Sequence, residues 1–190
     1  MCYVDDILAI SMRATEEVLE ILKSEKIKFK NNKIAEPEMY LGARLQKKQI
    51  NGKYAWTITS VDYIKAAIDT VRGSIKGTRW KIPGIAKTPM QSSFVPELDQ
   101  TPELSADDTT LYQEMTGMLQ WATELGRVDI LHEVSILSQY QFSPREGHLE
   151  QLLRIFGFLH GKPKLTLYMD SQLPIFDYSI FKTEPGESKE

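Results

Sequence analysis

The sequence predicts an α+β chain in which antiparallel hairpins and helices come first and a helical module follows. Short apolar runs separated by turn residues fill the first 60 positions, as in hairpin-rich sheets. From position 111 to 159 the apolar residues recur with a helical period. A stretch rich in Gly, Pro, Ser and Thr separates the two parts. We therefore divide the chain into a hairpin-and-helix part (1–72), a connection (73–104), a helical module (105–161) and a terminal segment (162–190).

The first part contains two predicted hairpins. Residues 1–10 are two short apolar runs around Asp5 and Asp6, which predicts a hairpin with both acids at its turn. Residues 39–45 and 54–58 are predicted strands, and Asn51-Gly52 between them is a tight-turn signal. Because the first strand begins at the first residue, we expect the chain to be a fragment of a longer protein.

Helices and a further strand are predicted around these hairpins. Residues 14–25 follow a helical period, with Thr15 as a candidate cap. Residues 60–72 also follow a helical period, with Ser60 as the cap. Residues 26–30 alternate lysine with apolar residues, which is typical of a half-buried strand.

The helical module should contain three helices, followed by a short strand. Ser105 with Asp108 resembles a capping box, and Gly126 marks a break before a helix over 130–140. Ser143, Pro144 and Glu146 together predict the start of the last helix, which Gly161 ends. The strand is predicted over 165–169, and the three histidines, His132, His148 and His160, are expected on helix surfaces or ends.

Bulk composition excludes several classes of function. The chain has 190 residues, a formal charge of −3 and a pI near 5.7, so any nucleic-acid binding must come from local patches. Cys2 is the only cysteine, and no Cys/His cluster has zinc-ligand spacing. The sequence contains neither a membrane-length apolar stretch nor a secretory pattern, so we expect an intracellular protein without a membrane partner.

The adjacent acids Asp5 and Asp6 form the most informative motif. Magnesium prefers oxygen ligands and often takes one or two carboxylates together with substrate phosphates. Alternation along a strand would place Asp5 on the face of Tyr3, so Asp5 is the expected main ligand and Asp6 the auxiliary one. The alternative is ordinary turn chemistry, because Asp also satisfies turn backbone groups.

The ordered series of motifs resembles copia-type retrotransposon reverse transcriptases. Tyr3-Val4-Asp5-Asp6 looks like the palm turn that carries two of their three catalytic aspartates. The run from Tyr40 to Leu45 resembles their primer-grip strand. The downstream blocks Tyr112–Gly117, Arg127–Ile130 and Phe158–Gly161 follow in the family's order, with Val128 where the family usually has proline. The resemblance covers roughly residues 2–168 and makes the two parts a palm remnant and a thumb-like module.

The resemblance implies RNA-directed DNA synthesis by two-metal nucleotidyl transfer. Asp5 and Asp6 would hold two Mg²⁺ ions (Mn²⁺ being possible), and Tyr3 would pack near the primer end. Tyr40, Leu41 and Gly42 would position the primer. The implied partners are a primer-template RNA/DNA duplex, a deoxynucleoside triphosphate, and the upstream palm and fingers of a polyprotein. The implied location is the cytoplasm, in a virus-like particle, or the nucleus.

Gln113, Gly117 and Trp121 lie at intervals of four residues and therefore on one helical face. The segment resembles the thumb helix that follows the minor groove of the duplex. The alternative is helix packing, in which Gly117 admits a neighbouring helix and Trp121 fills the core. No Lys, Arg or His occurs between Lys87 and Arg127, where seven acids do, so this helix would guide a duplex held elsewhere rather than bind it alone.

A lysine cluster lies between positions 23 and 33: Lys23, Lys26, Lys28, Lys30 and Lys33. The resemblance makes Lys30 the candidate proton donor to the leaving pyrophosphate. The alternative is an edge strand whose lysines prevent aggregation.

The function expected is therefore that of a reverse-transcriptase fragment. It should be inactive alone, because the family's first catalytic aspartate lies upstream of the Tyr-Val-Asp-Asp turn. The alternatives are a non-catalytic nucleic-acid- or protein-binding remnant and a translated relic that folds only partly.

Overall fold

A computed structural model describes residues 2–3, 6–7, 9, 13–25, 36–50 and 52–169 of the chain. Its strands form two antiparallel sheets. The two-stranded sheet pairs β1 (Cys2–Tyr3) with β2 (Asp6–Ile7). The four-stranded sheet has the order β3 (Met39–Tyr40), β4 (Ala43–Ile50), β5 (Lys53–Thr59), β6 (Leu167–Met169). The predicted β4–β5 hairpin is thus confirmed. The first predicted hairpin is seen as the short β1–β2 pairing, with Asp6 in a strand and not at the turn. The predicted strand over 26–30 lies outside the described residues.

Five α-helices are described: α1 (Ala14–Ser24), α2 (Val61–Ser74), α3 (Ala106–Glu124), α4 (Leu131–Ser138) and α5 (Glu146–Gly161). Short 3₁₀ turns occur at Pro96–Leu98 and Val128–Ile130. None of the helices in these ranges is long and apolar enough to span a membrane. The palm and thumb assignment of these elements stays a prediction.

The hydrophobic core lies between α2, α3, α4 and α5. Helix α2 buries Ile64, Ala67, Ile68 and Val71 and half-buries Tyr63, and α5 buries most of its length. Tyr112, which has no exposed surface, crosses the core and donates a hydrogen bond of 2.6 Å from its hydroxyl to the Leu137 carbonyl. Burial of apolar surface on this scale is the main driving force for folding.

The connection between α2 and α3 packs closely on α5. Ile75, Trp80 and Ala86 are buried in the same core as the helices. The Trp80 indole Nε1 donates 2.8 Å to the Asp108 carboxylate, on the first turn of α3. The connection approaches the backbone of α5 closely at Gly157, where a Cβ atom would be only 2.9 Å from the carbonyl oxygens of Pro83 and Gly84. Residues 79–88 of this connection therefore form an irregular segment that is ordered by packing and contains no strand.

The predicted start of α5 is wrong by two residues. Pro144 is not in the first helical turn, because its carbonyl accepts from the Leu104 amide at 3.0 Å and Arg145 bridges Glu103 as in a sheet. These pairings hold the backbone extended up to Arg145, which becomes the cap. The Arg145 amide donates 3.0 Å to Nδ1 of His148, so His148 closes the first turn.

Candidate functional site

Asp6 is the first residue of β2 in the small β1–β2 ladder, and Asp5 precedes it in sequence. The register pairs Tyr3 with Asp6 and Cys2 with Ile7. The expectation that Asp5 shares the face of Tyr3 falls on residues that the structure does not describe. Asp5 itself, and the side chains of Tyr3 and Asp6, lie outside the described residues, as does Lys30.

Asp5 and Asp6 are adjacent in sequence, and carboxylate oxygens are the ligands that magnesium prefers. Within the described ranges, no group of three or more His, Cys, Asp or Glu side chains is placed to hold a metal ion.

The predicted primer-grip strand is in fact a tight hairpin. Met39 to Leu45 does not run as one strand, because Leu41 and Gly42 form a two-residue turn between β3 and β4 with φ values of 52° and 92°. Positive φ at both central residues is the conformation of the turns that best match strand twist. Gly adopts it readily, whereas Leu41 does so against its steric preference.

This β3–β4 turn, formed by Tyr40 to Ala43, rests against the end of α3. The Cβ direction of Gly42 faces Leu125 Cδ1 at 3.7 Å and Tyr63 Cδ2 at 4.0 Å. Leu125 directly follows α3, four residues after Trp121. The structure therefore brings Tyr40, Leu41 and Gly42 to the end of the helix that carries the second set of predicted residues.

Two side chains of α2 hold the turn and α3 in place. Arg44, just after the turn, donates 2.7 Å to the Asp62 carboxylate, which raises the pKa of Arg44 and lowers that of Asp62. The Tyr63 hydroxyl donates 3.0 Å to the Met118 carbonyl in the middle of α3, and burial raises its pKa. The ion pair is exposed and contributes little to stability, so the packing of Tyr63 is the stronger link.

Gly117 is exposed on α3. A Cβ built there would meet no described heavy atom within 4 Å, so Gly117 does not admit a neighbouring helix among the described residues. That part of the packing alternative is therefore not supported. Trp121 is half-buried, one turn further toward the β3–β4 turn. From Gln113 to Trp121 the helix advances about 12 Å, and this length is open at its centre.

Gln113 is exposed, but its side chain has a partner within the chain. Its amide Nε2 donates 2.9 Å to the Gln141 carbonyl in the segment after α4. This bond fixes the corner between α3 and the end of α4, and a ligand that contacts Gln113 would compete with it.

The electrostatics of α3 are unfavourable for phosphate. The helix contains Asp107, Asp108, Glu114 and Glu124 and no basic residue. The next cation along the chain, Arg127, has 1% of its side chain exposed and donates to both oxygens of Asp129 at 2.9 and 2.8 Å. Arg127 is thus committed to a structural ion pair, and neither it nor α3 supplies phosphate neutralisation.

Sequence reasoning missed a buried polar cluster behind α5. His148 is 2% exposed. Its Nε2 lies 3.1 Å from the Pro96 carbonyl and 3.8 Å from the Asp99 carboxylate, and its ring lies 4.2 Å from that of Tyr140. Since Nδ1 accepts from the Arg145 amide, Nε2 is the nitrogen that donates to Pro96. The signal that could have found it was a histidine three residues into a helix, where a side chain can reach back to the cap.

Comparison with known proteins finds two transposon-encoded relatives. The chain is 29% identical over 167 residues to a putative transposon Ty5-1 protein of Saccharomyces cerevisiae, covering 87% of this chain and 49% of that protein. It is 35% identical over 82 residues to a retrovirus-related Pol polyprotein from transposon RE1 of Arabidopsis thaliana, covering 43% of this chain and 5% of the polyprotein. The chain thus spans about half the length of the first relative and a small part of the second. No family model and no solved structure matches. The homology supports a retrotransposon origin for this chain.

Proposed function

We propose that this retrotransposon-derived chain is the palm and thumb portion of a copia-type reverse transcriptase and that it holds the primer end of a primer-template duplex. The observation that carries the proposal is the contact of the β3–β4 turn with the end of α3, next to the open Gly117 face. The motif predicted to hold the primer thereby contacts the end of the helix predicted to follow the duplex.

In the complete enzyme, each described element would have a separate task. Asp5 and Asp6 would hold magnesium, which when bound stabilises the attacking and leaving oxygens of nucleotidyl transfer. Tyr3 would pack near the primer end, and the β3–β4 turn would fix the primer backbone. Helix α3 would lie along the minor groove, where the missing side chain at Gly117 allows close approach of the duplex. The upstream palm and fingers would add the third carboxylate and the nucleotide pocket.

A binding titration with a primer-template RNA/DNA duplex tests the duplex contact. Gly117→Leu fills the open face and should weaken binding at least tenfold, because it separates the backbone of α3 from the groove. Gly73→Leu is the matched control, since Gly73 is also exposed in a helix and also has no described atom near its Cβ direction. Equal affinities for the two variants would contradict the role of α3.

Catalysis is tested by primer extension with magnesium. The chain alone should give no template-dependent product, because Asp5 and Asp6 supply only part of the two-metal ligand set. Adding the upstream palm and fingers of the same element should restore synthesis, and Asp5→Asn or Asp6→Asn should abolish it again. Synthesis that survives both substitutions would refute the assignment of the turn.

The second candidate function is that of a non-catalytic nucleic-acid- or protein-binding remnant, and the four acids of α3, which repel phosphate, favour a protein partner. If the chain never supports extension with the upstream half, this second function replaces the first, and duplex binding with a steep salt dependence would then identify nucleic acid as the partner.

A further inference from the structure

The outer half of the β4–β5 ladder carries exposed aromatic side chains on one face. The register opposes Lys47 to Trp56 and Gln49 to Tyr54, and directly opposed residues of an antiparallel pair share a face. Further inward, the same face continues as the buried Leu45. Outward it is open, with Tyr54 67% exposed and Trp56 half-buried.

The third strand extends this face. Met169 of β6 is the register partner of Trp56 and is 41% exposed. We call the set of Lys47, Gln49, Tyr54, Trp56 and Met169 the outer face. It lies on the four-stranded sheet, beyond the β3–β4 turn and apart from α3.

The charge of this hairpin differs from that of the rest of the chain. Residues 43–59 contain Arg44, Lys47, Lys48 and Lys53 and no Asp or Glu, whereas the whole chain has a net charge of −3. Arg44 is committed to Asp62, but the three lysines have no carboxylate partner in the part of the chain that the structure describes. The Lys47 ammonium lies over the Tyr54 ring, 5.4 Å from its centre, so a cation occupies part of one face of this exposed aromatic side chain.

We propose that the outer face binds single-stranded nucleic acid by stacking successive bases on Tyr54 and Trp56. Residues two apart on one strand are about 7 Å apart on the same face. Neighbouring aromatics on a four-stranded antiparallel sheet are a known platform for two or three unstacked bases. Lysines beside such aromatics supply the phosphate attraction on which single-strand binding depends. The proposal stands on residues separate from those of the proposed duplex contact, so either can fail without the other.

Protection of an exposed edge strand explains the lysines but not the aromatics. Beside β4, a groove of about 490 Å³ is lined by Glu36 and Glu38 and by Lys47 and Trp56 of the outer face. The two carboxylates repel phosphate, so the phosphates would lie toward Gln49 and Tyr54, the β4 and β5 residues of the outer face that do not line the groove.

The test is a fluorescence titration of the whole chain with a short oligothymidylate and the matching oligouridylate. Tyr54→Ala should weaken binding about fivefold or more, as expected for loss of one stacked base. Tyr168→Ala is the control, because Tyr168 is 59% exposed but pairs with Thr57 on the opposite face. Binding to both probes indicates recognition of the bases and phosphates they share, while binding to one only identifies RNA or DNA as the source.

A pair of adjacent lysines gives an independent readout. Lys47→Gln should lower the slope of log K against log salt by about 0.7, whereas Lys48→Gln, whose register partner Ala55 is on the opposite face, should leave the slope nearly unchanged. Thermal melts by circular dichroism check that every variant folds. Absence of binding to both oligonucleotides, or equal losses within each matched pair of variants, overturns the proposal.

Discussion

Two glycines in long helices should respond in opposite directions to the same added methyl group. Gly117 in α3 is exposed, and its Cβ direction is free of described atoms within 4 Å. Gly157 in α5 is buried, and a Cβ there would lie 2.9 Å from two backbone carbonyl oxygens, those of Pro83 and Gly84. Real Cβ atoms do not approach so closely, so Gly157→Ala must displace either the connection or the helix.

The magnitudes follow from two opposing terms. Alanine in a helix interior is more favourable than glycine by about 1 kcal/mol. Nothing opposes this gain in Gly117→Ala, so the free energy of unfolding should rise by about 1 kcal/mol and the melting temperature by roughly 2–4 °C. In Gly157→Ala the same gain is opposed by overpacking of about 1–3 kcal/mol, so the free energy of unfolding should fall by up to about 2 kcal/mol.

Urea unfolding followed by far-ultraviolet circular dichroism measures both changes. The two variants should share the wild-type dependence on urea, so that their midpoints report stability directly. A fall in stability for Gly117→Ala would show that a neighbouring segment covers Gly117, which would restore the packing alternative for α3. A rise for Gly157→Ala would show that the connection does not rest on α5.

Two further substitutions test the buried polar groups. Burial raises the pKa of the Tyr112 phenol. Above about pH 10 the unfolded state therefore loses this proton while the folded state keeps it. The contribution of Tyr112 to the free energy of unfolding is complete below about pH 10 and is lost as the pH rises further. Tyr112→Phe should therefore flatten the decline in unfolding free energy between about pH 8 and pH 11. It should also cost about 1 kcal/mol at neutral pH through loss of the bond to Leu137, whereas the exposed Tyr54→Phe should change neither quantity. His148→Ala should lower the free energy of unfolding by about 3 kcal/mol, because it leaves a cavity and unpaired polar groups. His132→Ala is the control, because His132 is exposed and its loss should change stability little. Equal effects of the two substitutions in thermal melts would contradict the burial of His148.

Local signals in the sequence located most of the regular elements. Asn51-Gly52 predicted the β4–β5 hairpin, Ser105 caps α3 through the Asp108 amide, and Ser60 directly precedes α2. Apolar periodicity identified the buried faces of α2 and α3. These features depend on residues close together in sequence, which is why they could be predicted from it.

The errors come from contacts distant in sequence. Leu41 adopts positive φ, which its residue type disfavours, so the β3–β4 turn carried no usual turn signal at its first position. Helix α5 begins two residues later than predicted, because Pro144 and Arg145 pair with Leu104 and Glu103, about 40 residues earlier in the chain. Asp108 was expected to complete a capping box, but its carboxylate accepts from Trp80 instead. Within the candidate site, the sequence could not predict that the turn and α3 touch.

The close fit of the 75–104 segment on α5 has a consequence for how the protein can be divided. Gly147, Gly157 and Gly161 leave notches along one side of α5 that Asp99, Pro83 and Ile85 occupy. A cut in this segment would divide the hydrophobic core between the two products, because α5 would lose residues of the segment that pack against its glycines. Separately expressed pieces ending near position 73 or starting near 105 should therefore aggregate, and useful truncations must keep this segment together with α5.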